Sequence, residues 1–261
     1  MNVTAAGSSI AEKPETKVTQ AVGVDIVPGV TGLRHGWSFG AAEKRRGATW
    51  TRILMLGGYS RWMPSALPYL GVLVLSGWTS VDERKAFRDT LPYRTLAEHS
   101  RLVSLDLGAG VARSKHGDLV LNDDGWIDRL PAGRAPRGFV AALTYAHPTL
   151  RGAWPFHRIA REASLSARQT DGFVGSVFAT ELRAPALRVM TFTVWEPRQA
   201  SAQWAYSGDT HLKALSWLTE SPELMPGGCF ALFPILDASG IFNGVDLAAK
   251  ADELLNRTKK T

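Results

Sequence analysis

The chain is predicted to be α+β, made of two βαββαβ halves in tandem whose sheets pack against each other. Three observations predict this. Leu33-Arg34-His35-Gly36-Trp37-Ser38-Phe39 returns as Leu150-Arg151-Gly152-Ala153-Trp154-Pro155-Phe156, a Leu-Arg-x-x-Trp-x-Phe pattern repeated at an offset of 150 − 33 = 117. The same offset carries Val72, Leu73, Leu75 and Trp78 onto Val189, Met190, Phe192 and Trp195, and Phe87 onto Trp204. Finally, apolar periodicity runs in the same order in each half, and two units of this kind can bury aromatic strand faces that neither could hide alone.

In the second half, 139–146 is a β-rich run, and 152–167 carries the helical stripe Phe156, Ile159, Ala160 and Ala163. Strands over 173–182 and 187–195 flank a turn at Ala184-Pro185. A helix over 198–218 and a strand over 229–236 complete the βαββαβ order of the ferredoxin-like unit. The first half repeats it with a strand at 21–27, a helix from 37, strands at 53–56 and 69–77, a helix at 82–100 and a strand at 102–107. The expected organisation is a flexible tail 1–17, an N-terminal half 18–115, a linker 116–136 with turn signals Asn122-Asp123-Asp124-Gly125 and Pro131-Ala132-Gly133-Arg134, a C-terminal half 137–246 and a tail 247–261.

Composition narrows the function classes. With 45% apolar and 21% charged residues over 261 positions, and nine Trp, ten Phe and five Tyr, the chain reads as globular with a ring-rich core. A net charge of +6 is spread out, Lys44-Arg45-Arg46 being its densest internal cluster, so no nucleic-acid surface is expected. The lone Cys229 allows no internal disulfide and no Cys-x-x-Cys site, which suits a reducing compartment. Glu12, Lys13, Glu15 and Lys17 interrupt any export signal, and the apolar run 70–75 is far short of the roughly 18 residues of a membrane span, so the expected location is cytoplasmic with no integral membrane segment. Gly108-Ala109-Gly110 lacks the rest of a dinucleotide fingerprint, and no Gly-x-Ser-x-Gly elbow is present.

One histidine breaks the symmetry of the halves. Ala200, Trp204, Ser207, His211, Leu215 and Leu218 recur at spacings of three or four, so His211 points inward, while the position 117 residues earlier is Arg94. An inward imidazole can be a core residue bonded to a carbonyl, a metal ligand, a haem axial ligand or a general base. His147 and His157 lie where they could donate to a ligand, whereas His35, His99 and His116 read as ordinary.

Thr191-Phe192-Thr193-Val194-Trp195, Ala205-Tyr206-Ser207 and His211-Leu212-Lys213-Ala214-Leu215 resemble the C-terminal half of the spheroidene monooxygenase family, with 139–144 and Glu181 fitting the same run. The likeness spans about 139–236 and is weaker over 21–107. Thr210-His211-Leu212 is also similar to the segment around the haem histidine of aldoxime dehydratases. Like chlorite dismutases, these are two fused ferredoxin-like halves of dimeric α+β barrel type, with haem on a helix histidine of the C-terminal half. The resemblance implies haem b ligated through iron by His211; the stripe shared with His211 then puts Trp204, Ser207 and Leu215 on the helix side, and Ser176 and Thr193 on the facing strands, with His157 near the start of the second-half helix, are the catalytic candidates. Ser221-Pro222-Glu223-Leu224-Met225-Pro226 departs from the monooxygenase pattern. The expected activity is haem-dependent oxygenation of a small apolar substrate, with an electron-donor protein and a homo-oligomer as possible partners. The alternatives are an aldoxime dehydratase-like N–O lyase, a cofactor-free monooxygenase of the antibiotic-biosynthesis type, and a silent ligand-binding barrel.

Overall fold

A computed structural model describes residues 19–57, 71–117, 130–131, 133, 138–183, 186–196, 198–207 and 209–258. The tail 1–17, most of the linker and the Ala184-Pro185 turn lie outside them. The chain opens with β1 (Ala21–Pro28), α1 (Gly29–Arg45), β2 (Trp50–Gly57), β3 (Gly71–Trp78), α2 (Val81–Arg88), α3 (Leu91–His99) and β4 (Val103–Leu107). After β5 (Val111–Gly117) it repeats the pattern with β6 (Val140–His147), α4 (Leu150–Arg168), β7 (Phe173–Arg183), β8 (Ala186–Trp195), α5 (Arg198–Ser207), α6 (Asp209–Glu220) and β9 (Gly227–Ser239). A small hairpin, β10 (Ile241–Phe242) and β11 (Val245–Asp246), leads into α7 (Leu247–Thr258).

The strands run β4-β1-β3-β2-β7-β8-β6-β9, and β4 pairs with β9, so eight antiparallel strands close into a barrel, with β5 added on β9. The two four-stranded groups therefore do more than face each other: they join edge to edge, which leaves none of these eight strands with a free edge. Each seam is clamped by an arginine, buried at the first and partly buried at the second. Beside the β2–β7 pairing (Met55↔Thr180, Leu56↔Ala179, Gly57↔Phe178), Arg52 meets Glu181 at 3.1 Å. At the β4–β9 seam Arg88 reaches Asp106 at 3.0 Å and Asp237 at 2.7 Å.

Strand alternation sorts the side chains between two cores. Val22, Val24 and Ile26 of β1 share the barrel interior with Leu143, Tyr145, Phe192 and Phe233, while Ala21, Val72, Val74 and Trp78 face the helices outside. The repeat recurs as repeated geometry. Trp78 and Trp195 end β3 and β8, each indole N–H donating to a hydroxyl two residues back, Ser76 at 2.9 Å and Thr193 at 2.8 Å. The ring pairs Trp78–Phe87 and Trp195–Trp204 stand at 5.3 and 5.4 Å, both at 33°. The offset slips by two at the first strand, because Trp78 pairs with Ala21 and Trp195 with Val140 (140 − 21 = 119).

Three expectations change. The helices expected over 82–100 and 198–218 are each broken in two. In the first, Pro92 sits in the opening turn of α3, where it lacks an N–H and its ring would clash with a continuing helix. The helix expected from Trp37 already starts at Gly29. The segment 247–261, expected as a tail, carries α7, whose Leu247 is fully buried in the barrel core.

The barrel interior also holds His147, buried at the end of β6 with its ring 4.9 Å from Tyr145 and neither nitrogen hydrogen-bonded to a described residue. Burial, then the nearby Arg188, pushes its pKa from 6.5 down to about 4, with Glu181 opposing. As pH falls below 6.5 the unfolded chain binds a proton that the folded chain refuses until about pH 4, so stability is full above that window and lost within it. The expected loss is about 3 kcal/mol. Urea denaturation at pH 7 and pH 4.5 checks it, because His147→Phe should flatten this part of the slope. An unchanged slope would show that the imidazole does not titrate there.

Candidate functional site

Outside the barrel, between strands β6–β9 and helices α4, α5 and α6, lies a cavity of about 360 Å³. Its helix wall is unusually small-sided, with Ala160, Ala163, Ser164 and Ala167 on one face of α4, and its far side carries Trp195, Trp204 and Trp217. Half-exposed Tyr206 stands at the mouth. Among the described residues, no charged side chain lines it.

The other half explains why the space is there. The position matching Ser201 is Arg84 (84 + 117 = 201), that matching Ala160 is Glu43 (43 + 117 = 160), and through the strand pairing Asp25 matches Thr144 (25 + 119 = 144). In the N-terminal half these three side chains fill the gap between sheet and helices. Fully buried Arg84 donates to Asp25 at 2.6 Å, to Glu43 at 3.1 Å and to Asp106 at 3.1 Å. Replacing an arginine and two carboxylic acids by Ser, Thr and Ala leaves a void on the C-terminal side. Filling that void again with Ala160→Leu should leave stability unchanged or raise it by about 0.5–2 kcal/mol, as cavity-filling changes do. The thermal melt reads this, and a drop of several degrees would mean that the space is already packed.

His211 lines the cavity from α6. Its Nδ1 lies 2.7 Å from the Ala205 carbonyl oxygen, a bond only an Nδ1–H can make, so the lone pair is on Nε2. Burial lowers its pKa, and the Ala205 carbonyl opposes the shift. The imidazole is thus neutral at pH 7, held in one tautomer by a backbone carbonyl, and ready to donate a lone pair. Trp204 packs on the ring at 4.4 Å between centroids and donates its indole N–H to Ser166 at 3.3 Å.

The remaining expected site residues divide. Trp204 and Ser176 reach the cavity wall. Thr193 does too, but its hydroxyl already accepts from the Trp195 indole. His157, expected to act on substrate, is buried on α4 outside the lining, with its ring stacked on Trp154 at 6.4 Å and its pKa lowered by burial and then Arg161. The side chains of Ser207 and Leu215 lie outside the described ones.

Sequence reasoning missed Ser164, whose buried hydroxyl lines the cavity without a hydrogen-bond partner among the described residues. It also missed Ser201 and Trp217. A legible signal was present: alanines at 160, 163 and 167, on one helix face with Phe156, leave room that large residues would fill. Among the described residues, no group of three or more His, Cys, Asp and Glu converges as a bare metal ion would require.

No family profile matches the chain, and no curated protein does. Among solved structures, an aldoxime dehydratase overlays with a TM-score of 0.58 at 10% identity, covering 92% of this chain and 90% of that one. A second aldoxime dehydratase, crystallised with butyraldoxime, gives 0.54 at 11% identity over 90% and 86%. At these identities the likeness is one of fold. A chlorite dismutase from Candidatus Nitrospira defluvii aligns at only 0.26 with 9% identity over 83% of this chain and 92% of its own.

Proposed function

We propose that this chain is an enzyme that binds haem b in the C-terminal cavity through His211 and oxygenates a small apolar molecule, on a scaffold of two ferredoxin-like halves of dimeric α+β barrel type. The observation that carries the reading is the His211 tautomer. A carbonyl fixing Nδ1–H is the partner that orients a ligating imidazole and raises its basicity, and Nε2 is left as the donor atom. The described lining suits a flat macrocycle, being aromatic on one side and alanine on the other. It carries no cation that would pair with the haem carboxylates.

When bound, haem would supply a redox-active iron with one coordination position open to oxygen or substrate. The chain's own residues do the rest. Ala205 holds the His211 proton on Nδ1, Trp204, backed by Trp195, keeps the ring from turning and excludes water, and Ser176 and Ser164 present hydroxyls to whatever fills the space. An uncharged, mostly apolar substrate fits such walls, because a buried charge would find no partner there. Oxygenation also consumes electrons, which a donor protein would supply. The proposed setting is cytoplasmic, with a homo-oligomer as the assembly, and no described helix is long and apolar enough to cross a membrane.

A second reading, dehydration at an N–O bond, draws on the overlay with aldoxime dehydratases. The visible spectrum of purified protein titrated with haem tests both. A saturable Soret band at one equivalent is the expected result, and its absence would leave the cofactor-free monooxygenase or the silent barrel. Oxygen uptake against nitrile formation from butyraldoxime under reducing conditions then separates oxygenation from dehydration.

A further inference from the structure

Helix α4 has a second face that the cavity does not use. Leu150, Trp154, Arg158, Arg161, Leu165 and Arg168 succeed one another at spacings of 4, 4, 3, 4 and 3 and so form one stripe along the helix, with Arg151 beside it. The large apolar members are out in solvent, Leu150 at 81%, Trp154 at 50% and Leu165 at 44% exposure. None of the four arginines makes an ion pair with a described residue, and Glu162 is the one acid on this face of the helix. The exposed leucines and tryptophan leave apolar area in water, and the arginines between them make the same face positive. They match a surface that is apolar inside and anionic at its boundary.

We propose that this face of α4 docks on the surface of an anionic lipid bilayer, with Leu150, Trp154 and Leu165 entering the headgroup boundary and the arginines meeting lipid phosphates and carboxylates. Charge argues for this occupant over a second copy of the chain. A two-fold contact of this face with itself would set four arginines against four. The opposite face of the same helix walls the apolar cavity, so α4 lies on the bilayer and does not enter it. The inference stands on this stripe alone and is independent of haem.

Co-sedimentation of the full chain with vesicles of phosphatidylserine and phosphatidylcholine at 3:7 tests it, with phosphatidylcholine alone as the comparison. Binding to the anionic vesicles that weakens with salt is expected. Arg151→Ser with Arg158→Ser should weaken it about 30-fold, each removing one basic contact. Leu150→Ser should weaken it as well, and quenching by brominated lipid should fall in Trp154→Phe. All four residues are exposed, so an unchanged thermal melt is expected and confirms that the variants fold. Absence of vesicle binding, or wild-type binding by the variants, would overturn the proposal. So would a dimer that the arginine variants dissociate, which assigns the face to a second copy. Binding of polyglutamate that matches vesicle binding and ignores Leu150→Ser would assign it to an acidic polypeptide and overturn it too.

Discussion

Arg84→Met is expected to destabilise the protein by about 3–5 kcal/mol, a large part of the roughly 5–15 kcal/mol that holds a typical domain folded. The guanidinium satisfies Asp25, Glu43 and Asp106 together and also donates to Ser104 at 3.1 Å, all without solvent. Burial alone would lower its pKa, but Asp25, Glu43 and Asp106 hold it well above the usual value, so it stays charged. Removing it strands the buried carboxyl groups of Asp25 and Glu43, while Asp106 keeps Arg88 at 3.0 Å. Glu43 is already pushed up to about 8 by burial and by Asp25, with Arg84 opposing. A group raised in the folded state stabilises at low pH and loses that contribution as pH rises through its folded pKa, so Arg84→Met should be least stable at alkaline pH. Denaturant midpoints at pH 5 and pH 8 check the sign. The companion variant Asp25→Thr with Glu43→Ala and Arg84→Ser copies the C-terminal half, and it should recover part of the loss because few charges remain to be paired. A single variant costing under about 1 kcal/mol would show that the network is dispensable.

His211→Ala should remove haem binding while leaving the barrel folded. The imidazole is half-buried at the cavity and, among the described residues, is hydrogen-bonded to the Ala205 carbonyl of α5 alone, so no strand pairing depends on it. Loss of a partner that merely orients a ligand costs about 10–100-fold in metal affinity, and loss of the ligand itself should exceed that. Haem titration followed at the Soret band reads the affinity, and far-ultraviolet circular dichroism reads the fold. Free imidazole should restore part of the band by replacing the missing nitrogen in the emptied space. A variant that keeps full haem occupancy and an unchanged spectrum would move the ligand elsewhere. His157 lies outside the lining, so the next donor to examine is Cys229, which lines the cavity from β9.

Much of the fold was legible because its signals are local. The apolar, β-rich runs of β1, β6 and β8, the 3.6-residue stripe on α4, and a tryptophan at the end of β3 and of β8 follow from nearest neighbours along the chain. The inward direction of His211 was equally readable, although the stripe through Ser207 and Leu215 ran across a helix that the structure divides between α5 and α6. Repetition could be heard in the sequence, but its two-residue slip at the first strand could not, since only the pairing of Ala21 with Trp78 and of Val140 with Trp195 reveals it.

What tertiary structure decided are properties of no single segment. Closure of the barrel depends on β2 meeting β7 and β4 meeting β9, contacts far apart in sequence whose partners are chosen by the edges left unpaired elsewhere. The core position of α7 depends on that closed end, which is why an amphipathic segment at 247–258 read as a tail. The cavity is the clearest case. Its volume is what α4, α5, α6 and the sheet fail to cover, and it appears only when Ser201, Thr144 and Ala160 are set against Arg84, Asp25 and Glu43 in three dimensions. Sequence therefore determined which faces turn inward, since periodicity is written residue by residue. Only the folded chain decided which inward face is filled by an ion network and which is left open, because packing is a balance of volumes contributed by elements far apart in the sequence.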